Sequence, residues 1–262
     1  MSLEIIDFHT HPFLTKETNI CQHKDFIEMD YKYTKDLYDD LKISKICGDV
    51  TGFEYKENES VWEYKTRLNS EALELEKLYK GFYIPGVSIH PNFVEESKKA
   101  IDLFKEKGFN LVGEIVPYHP FDAFSIKDND NLDELLNYAE KLDMTVSFHT
   151  MDDDEMDMLV KKHKHLKFVA AHPGDYPKFM RHLERFKMCD NYYLDLSGTG
   201  IFRYGVVERA VKVMGKERVV FGSDYPICSP SVYLGGIVLN NNLTDDEKEH
   251  ILYKNAKYLL KI

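Results

Sequence analysis

Cysteine is scarce in this chain. Cys21, Cys47, Cys189 and Cys228 are spread over 262 residues with no Cys-x-x-Cys pair, which excludes a disulfide framework and a thiolate zinc site as sources of stability. Long apolar runs are missing as well. No stretch approaches the ~20 residues of a membrane span, and the N-terminus lacks the basic segment plus apolar run of a secretory signal. No membrane partner is expected, and a reducing cytoplasm is the expected setting. Positive charge is in deficit, with 34 Lys and Arg against 45 Asp and Glu and a formal net charge of −11. Phosphate backbones need clustered cations, so nucleic acid is not favoured as a partner. Gly/Pro/Ser-rich linkers, repeats and low-complexity tracts are also lacking. Residues 1–262 therefore read as a single domain.

What the chain does have is alternation. Short runs rich in Val, Ile, Leu, Phe and Tyr occur at Leu3–Phe8, Ile43–Val50, Phe82–Ile89, Leu111–Val116, Met144–Phe148, Leu166–Ala171, Tyr192–Leu196 and Val219–Gly222. Such runs suit parallel strands buried on both faces. Amphipathic helical patterns lie between them, for example Val61–Lys80, Phe93–Lys107, Leu132–Leu142, Glu155–His163 and Tyr204–Met214. Asp130 or Asn131 is the expected cap of the third of these. A last helix, Asp245–Leu260, has Thr244 and Glu247 in capping-box register. Eight strands alternating with helices predict an α/β fold, a single (β/α)8 TIM barrel, for which about 250 residues is a typical length. A doubly wound open sheet is the alternative. The long segment 12–42 follows the first strand, so it either covers the catalytic end, with Phe13 and Leu14 lining it, or forms a peripheral insertion with its own helix.

The polar residues at the strand ends carry the functional signal. Asp7-Phe8-His9-Thr10-His11 closes the first strand, and residues two apart on a strand share a face, so His9 and His11 project together. The same alternation assigns Leu3, Ile5 and Asp7 to that inward face. Asp7 is then either a carboxylate partner for the imidazoles or a buried acid satisfied by backbone amides. Met144–Phe148 runs into His149, Leu166–Ala171 into His172, and Val219–Gly222 into Ser223-Asp224. In a barrel these ends converge on one mouth. Imidazoles and a carboxylate gathered there suit a divalent ion, zinc first, with manganese, iron or nickel also compatible.

The Asp-x-His-x-His opening, His149, His172 and Gly222-Ser223-Asp224-Tyr225-Pro226 together resemble the amidohydrolase superfamily, and most closely its amidohydrolase-2 branch. That branch also contains aminocarboxymuconate-semialdehyde-decarboxylase-like enzymes. The resemblance implies that His9, His11, His149 and Asp224 ligate a catalytic metal, with Asp224 also serving as base and His172 as acid/base or substrate contact. It implies one ion, or two if Glu114 bridges and His172 joins the ligands. Glu114, in Val112-Gly113-Glu114-Ile115, otherwise faces the substrate. Arg203, beyond the seventh strand, is a candidate for pairing with a substrate carboxylate.

The expected activity is hydrolysis of an amide, ester or lactone of a small molecule by metal-activated water. Non-oxidative decarboxylation in the same branch is the runner-up. A deoxyribonuclease of the TatD kind accommodates Glu114, but Val116-Pro117-Tyr118-His119 lacks that family's Gly-Leu-Asp pattern. A non-catalytic metal-binding barrel is the remaining class. A homo-oligomer is compatible with the sequence. His90 and His119 read as loop-surface residues, His163, His165, His182 and His250 as solvated helix faces, and Cys228 as a neutral loop thiol.

Overall fold

The computed structural model describes residues 4–262; the start of the first expected strand, at Leu3, lies outside them. Eight parallel strands follow in sequence order around one sheet: β1 (Ile6–Asp7), β2 (Lys45–Gly48), β3 (Tyr83–Val87), β4 (Leu111–Ile115), β5 (Thr145–Phe148), β6 (Lys167–Ala170), β7 (Tyr192–Asp195) and β8 (Val219–Val220). The segments just past β8 and β1 close the ring. Phe8 N donates to the Phe221 carbonyl at 2.9 Å, Asp224 N to the His9 carbonyl at 2.8 Å, and Thr10 bridges Tyr225 in parallel. The expected barrel is therefore present, and the open sheet is not.

Helices α1 (Tyr31–Asp40), α2 (Val61–Tyr79), α3 (Val94–Glu106), α4 (Asp130–Lys141), α5 (Asp153–Lys162), α6 (Tyr176–Arg185), α7 (Val206–Met214) and α8 (Pro230–Val238) wrap the outside. Side chains bury where the periodicity puts them: Leu132, Leu135, Leu136 and Ala139 of α4 all face the barrel. Its cap, however, is Asn129, which accepts from Leu132 N at 3.0 Å. The C-terminal helix begins with the Thr244–Glu247 capping box, as expected, and is interrupted by a π turn, giving α9 (Asp245–Glu249), the turn His250–Lys254 and α10 (Asn255–Leu260). No helix among the described residues is long and apolar enough to cross a membrane.

Two cores result. The larger lies between barrel and helices. The smaller fills the barrel: Ile6, Phe8, Cys47, Ile84, Leu111, Val169, Tyr193 and Val220, joined by Ala256, Leu259 and Leu260 of α10. Thr145 Oγ1 donates to the Leu259 carbonyl at 2.8 Å and Asn110 Nδ2 to that of Leu260 at 3.0 Å. Thus α10 plugs the end opposite the mouth.

The alternation read into β1 fails at one point. Ile6 and Phe8 belong to the barrel interior, whereas Ile5 packs outside and Asp7 turns to Tyr38 of α1, whose hydroxyl donates at 2.9 Å. The chain bends at His9, so counting back in twos from His9 assigns the wrong face. His163 and His182 are buried rather than solvated, the first against Asp133 and Asn137, the second against Tyr192. His90 and His119 are likewise buried, both tied to Asp122.

Candidate functional site

The bend at the end of β1 lets His9 and His11 turn their Nε2 atoms to within 3.2 Å of each other. Glu114 comes to meet them because β4 is irregular. Its register with β5 shifts between Val112 and Ile115, and Gly113 sits at φ +88°. A bulge of this kind re-aims the next side chain. Any Cβ at position 113 would lie 2.6 Å from the Ser147 carbonyl oxygen, so only glycine fits.

Glu114 divides its oxygens. Oε2 stands 3.5 Å from His9 Nε2 and 3.4 Å from His11 Nε2, while Oε1 stands 3.4 Å from His149 Nδ1 and 4.0 Å from His172 Nε2. Asp224 Oδ1 approaches His9 and His11 Nε2 at 3.8 and 3.6 Å, and its Oδ2 lies 3.9 Å from His172 Nε2. Ligands about 2.1 Å from a shared tetrahedral ion stand about 3.4 Å apart, so these spacings fit a metal centre. In two groups, His9–His11–Asp224 and His9–Glu114–His172, one donor atom from each residue lies within 4.8 Å of the others. His149 stands outside both. It meets His172 edge-on, with ring centroids 4.5 Å apart, and the Tyr118 hydroxyl at 2.8 Å from Nδ1. Of the expected set, His9, His11 and Asp224 lie together, His149 lies beside His172, and Glu114 reaches both places.

The rings are held from behind. His9 Nδ1 meets Asp195 Oδ2 at 2.7 Å, His11 Nδ1 meets the Asp49 carbonyl at 3.2 Å, and His172 Nδ1 meets Ser197 Oγ at 2.9 Å. Asp49 also accepts from Glu114 N at 2.8 Å. Asp7 is not the partner of an imidazole ring. It accepts from Ser223 N, His9 N and Tyr38, which is the backbone-satisfied alternative. Asp195 and Asp49 escaped sequence reasoning, although each stands at a C-terminal strand end, and that position was the available signal. His172 and Asp224 sit at φ +64° and +66°, an unfavourable region for non-glycine residues that often marks functional positions.

Charge is poised for a cation. Burial disfavours ionised groups here, yet Asp195 and Glu114 outweigh it and raise His9 well above the usual imidazole range. His11 is driven up to about 10 against the same burial by Asp49 and Glu114. Burial raises Asp195 too, but His9 draws it down to about 2. Burial pushes the Asp224 carboxyl up and His149 down to about 3. Among the described residues, Glu114 Oε1 is buried without any hydrogen-bond donor. A buried carboxylate oxygen in that state is costly unless a cation meets it. The donor set and this orphaned oxygen both fit divalent metal.

Above the cluster lies a cavity of 740 Å³, lined by His11, Glu114, His149, His172 and Asp224 at its floor and by Ile20, Phe53, Tyr118, His119, Met151, Lys178, Ile227 and Cys228, among others. Ile20 is the contribution of the 12–42 segment, which also carries α1. Phe13 is instead core, stacked on Tyr225, and Leu14 N is held by Glu71. Arg203 does not line the cavity; it donates to the Gly174 carbonyl at 2.7 Å.

A closed (β/α)8 barrel with histidines and carboxylates converging on its mouth is the arrangement in which barrel enzymes carry their active sites. The chain belongs to the amidohydrolase family Amidohydro_2, which matches residues 6–262. No curated protein matches it. Among solved structures it resembles an uncharacterized TIM-barrel protein from Bordetella bronchiseptica (18% identity, 98% of each chain, TM-score 0.77). It also resembles a dihydroxybenzoic acid decarboxylase from Polaromonas sp. JS666 with bound manganese and the inhibitor 2-nitroresorcinol (15% identity, 98% of this chain and 97% of that one, TM-score 0.69). A third is a probable 2-pyrone-4,6-dicarboxylic acid hydrolase from Acinetobacter baumannii with citric acid bound (14% identity, 99% and 100%, TM-score 0.67).

Proposed function

We propose that this chain is a metal-dependent hydrolase acting on an amide, ester or lactone of a small molecule, in which Glu114 would help to hold two divalent ions. The observation that supports it is the divided Glu114 carboxylate, one oxygen toward His9 and His11 and the other toward His149 and His172. His9, His11 and Asp224 would hold the first ion, His149 and His172 the second, with zinc the preferred metal and manganese the alternative. Bound there, such ions supply Lewis acidity and lower the pKa of water toward neutrality. Asp224, with its carboxyl raised by burial, takes the proton of the attacking water. His172, its Nδ1 fixed by Ser197, directs Nε2 inward as a metal donor, and the proton that Asp224 has taken passes to the leaving group.

Non-oxidative decarboxylation is the second reading. It is favoured by the likeness to the Polaromonas decarboxylase and by the fact that His9, His11 and Asp224 alone suffice to hold one ion. The two readings separate on a panel of esters, lactones and aromatic acids, with the protein loaded with zinc or manganese. Hydrolysis incorporates one ¹⁸O from labelled water into the product. Release of CO2 from an aromatic acid without hydrolysis of any ester, amide or lactone would overturn the hydrolase reading.

A further inference from the structure

The cavity wall carries one lysine above the histidine cluster. Lys178 is the one Lys or Arg among the described residues that line it. It sits half-buried in the first turn of α6, and its aliphatic stem lies so close to Gly174 that a Cβ there would stand 2.7 Å from Lys178 Cδ. The ammonium donates to the Thr150 carbonyl at 2.6 Å, so it stands over the end of β5, one residue beyond His149. An ammonium has three donors. Among the described residues no carboxylate comes within 4.0 Å of this one. The acids nearest in the chain are engaged elsewhere, Asp153 with Arg185 and Asp175 with the Lys178 backbone amide at 3.1 Å. The perch is also rigid. Gly174 N donates to the Thr199 carbonyl at 2.7 Å, and Arg203 holds the Gly174 carbonyl at 2.7 Å. Much of the remaining wall is apolar: Ile20, Phe53, Tyr118, Met151 and Ile227.

We propose that Lys178 anchors a carboxylate that the reaction leaves untouched, so that the substrate is a small acid whose apolar body spans from Lys178 to the bond cleaved at the cavity floor. This rests on the hydrolytic reading of the same site. A half-buried ammonium with two unused donors, fixed before the ligand arrives, binds an anion without the cost of ordering it. Arg203, the sequence-based candidate for that role, acts one step back by holding the loop on which Lys178 rests.

The test is calorimetric titration of metal-loaded protein with isophthalate and terephthalate, each against its monoamide. The monoamide has the same shape with one carboxylate neutralised. Wild type should prefer the dicarboxylate of at least one pair by roughly tenfold or more, the size of one charge-assisted hydrogen bond. Lys178→Met should abolish that preference with unchanged metal content, and Lys178→Arg should restore part of it. Equal affinity within both pairs in wild type, no binding of any of the four, or a preference that survives in Lys178→Met would overturn the assignment. Because the readout is binding, it separates from turnover. If hydrolysis fails or only one ion is found, the loss of preference in Lys178→Met still decides the role of Lys178.

Discussion

At the residue scale, the side chains behind the cluster decide what it can do. Asp195 accepts from His9 Nδ1 and Asp49 from His11 Nδ1, which turns both Nε2 lone pairs to the same point. Partners of metal-bound histidines typically contribute 10–100-fold in metal affinity. Asp195→Asn keeps the shape and loses the charge, so it should weaken metal binding by about tenfold or more, measured by chelator competition. Asp224 is proposed to be both ligand and base. Asp224→Asn should therefore keep most of its metal yet lose at least about a hundredfold in kcat. A metal-loaded Asp224→Asn with near-normal kcat would show that another residue is the base. His9, His11, His149, His172, Glu114 and Asp224 were legible because all stand at strand ends. Their pairing was not, since alternation cannot register the bend at His9 or the bulge at Gly113.

At the element scale, that bulge is what brings Glu114 between the two histidine pairs. Gly113→Ala meets both a strained φ of +88° and the Ser147 carbonyl. It should straighten β4, withdraw Glu114 and reduce the metal content without unfolding the barrel, as metal analysis alongside circular dichroism would reveal. Unchanged metal content in a folded Gly113→Ala would mean that the bulge does not matter. The eight strands are readable from periodicity, as are α2, α3, α4, α5, α7 and the C-terminal helix that the π turn divides into α9 and α10, and the Thr244–Glu247 cap is readable from its spacing. α1 is the helix of the insertion alternative for 12–42, whereas α6 and α8 do not stand out in the periodicity. α8 contains Gly235 and Gly236, poor helix formers held by tertiary packing. The π turn at His250–Lys254 was likewise invisible, because it offers the Ile251 carbonyl to Phe221 N at 2.8 Å, a contact between distant segments.

At the scale of the whole molecule, the barrel separates stability from chemistry. The closed end is sealed by α10, with Leu259 and Leu260 fully buried among the inward side chains of the strands. Leu259→Ala should cost about 2–5 kcal/mol in chemical denaturation while leaving the metal content as it was. The open end concentrates four histidines and several carboxylates around the orphaned Glu114 Oε1. The central claim is that Glu114 would help to hold two ions, and it is tested most directly by metal content per chain in protein purified without chelator, wild type beside Glu114→Gln. The account predicts two divalent ions in wild type and about one fewer in the variant. A single fully occupied ion in wild type that Glu114→Gln retains would contradict it.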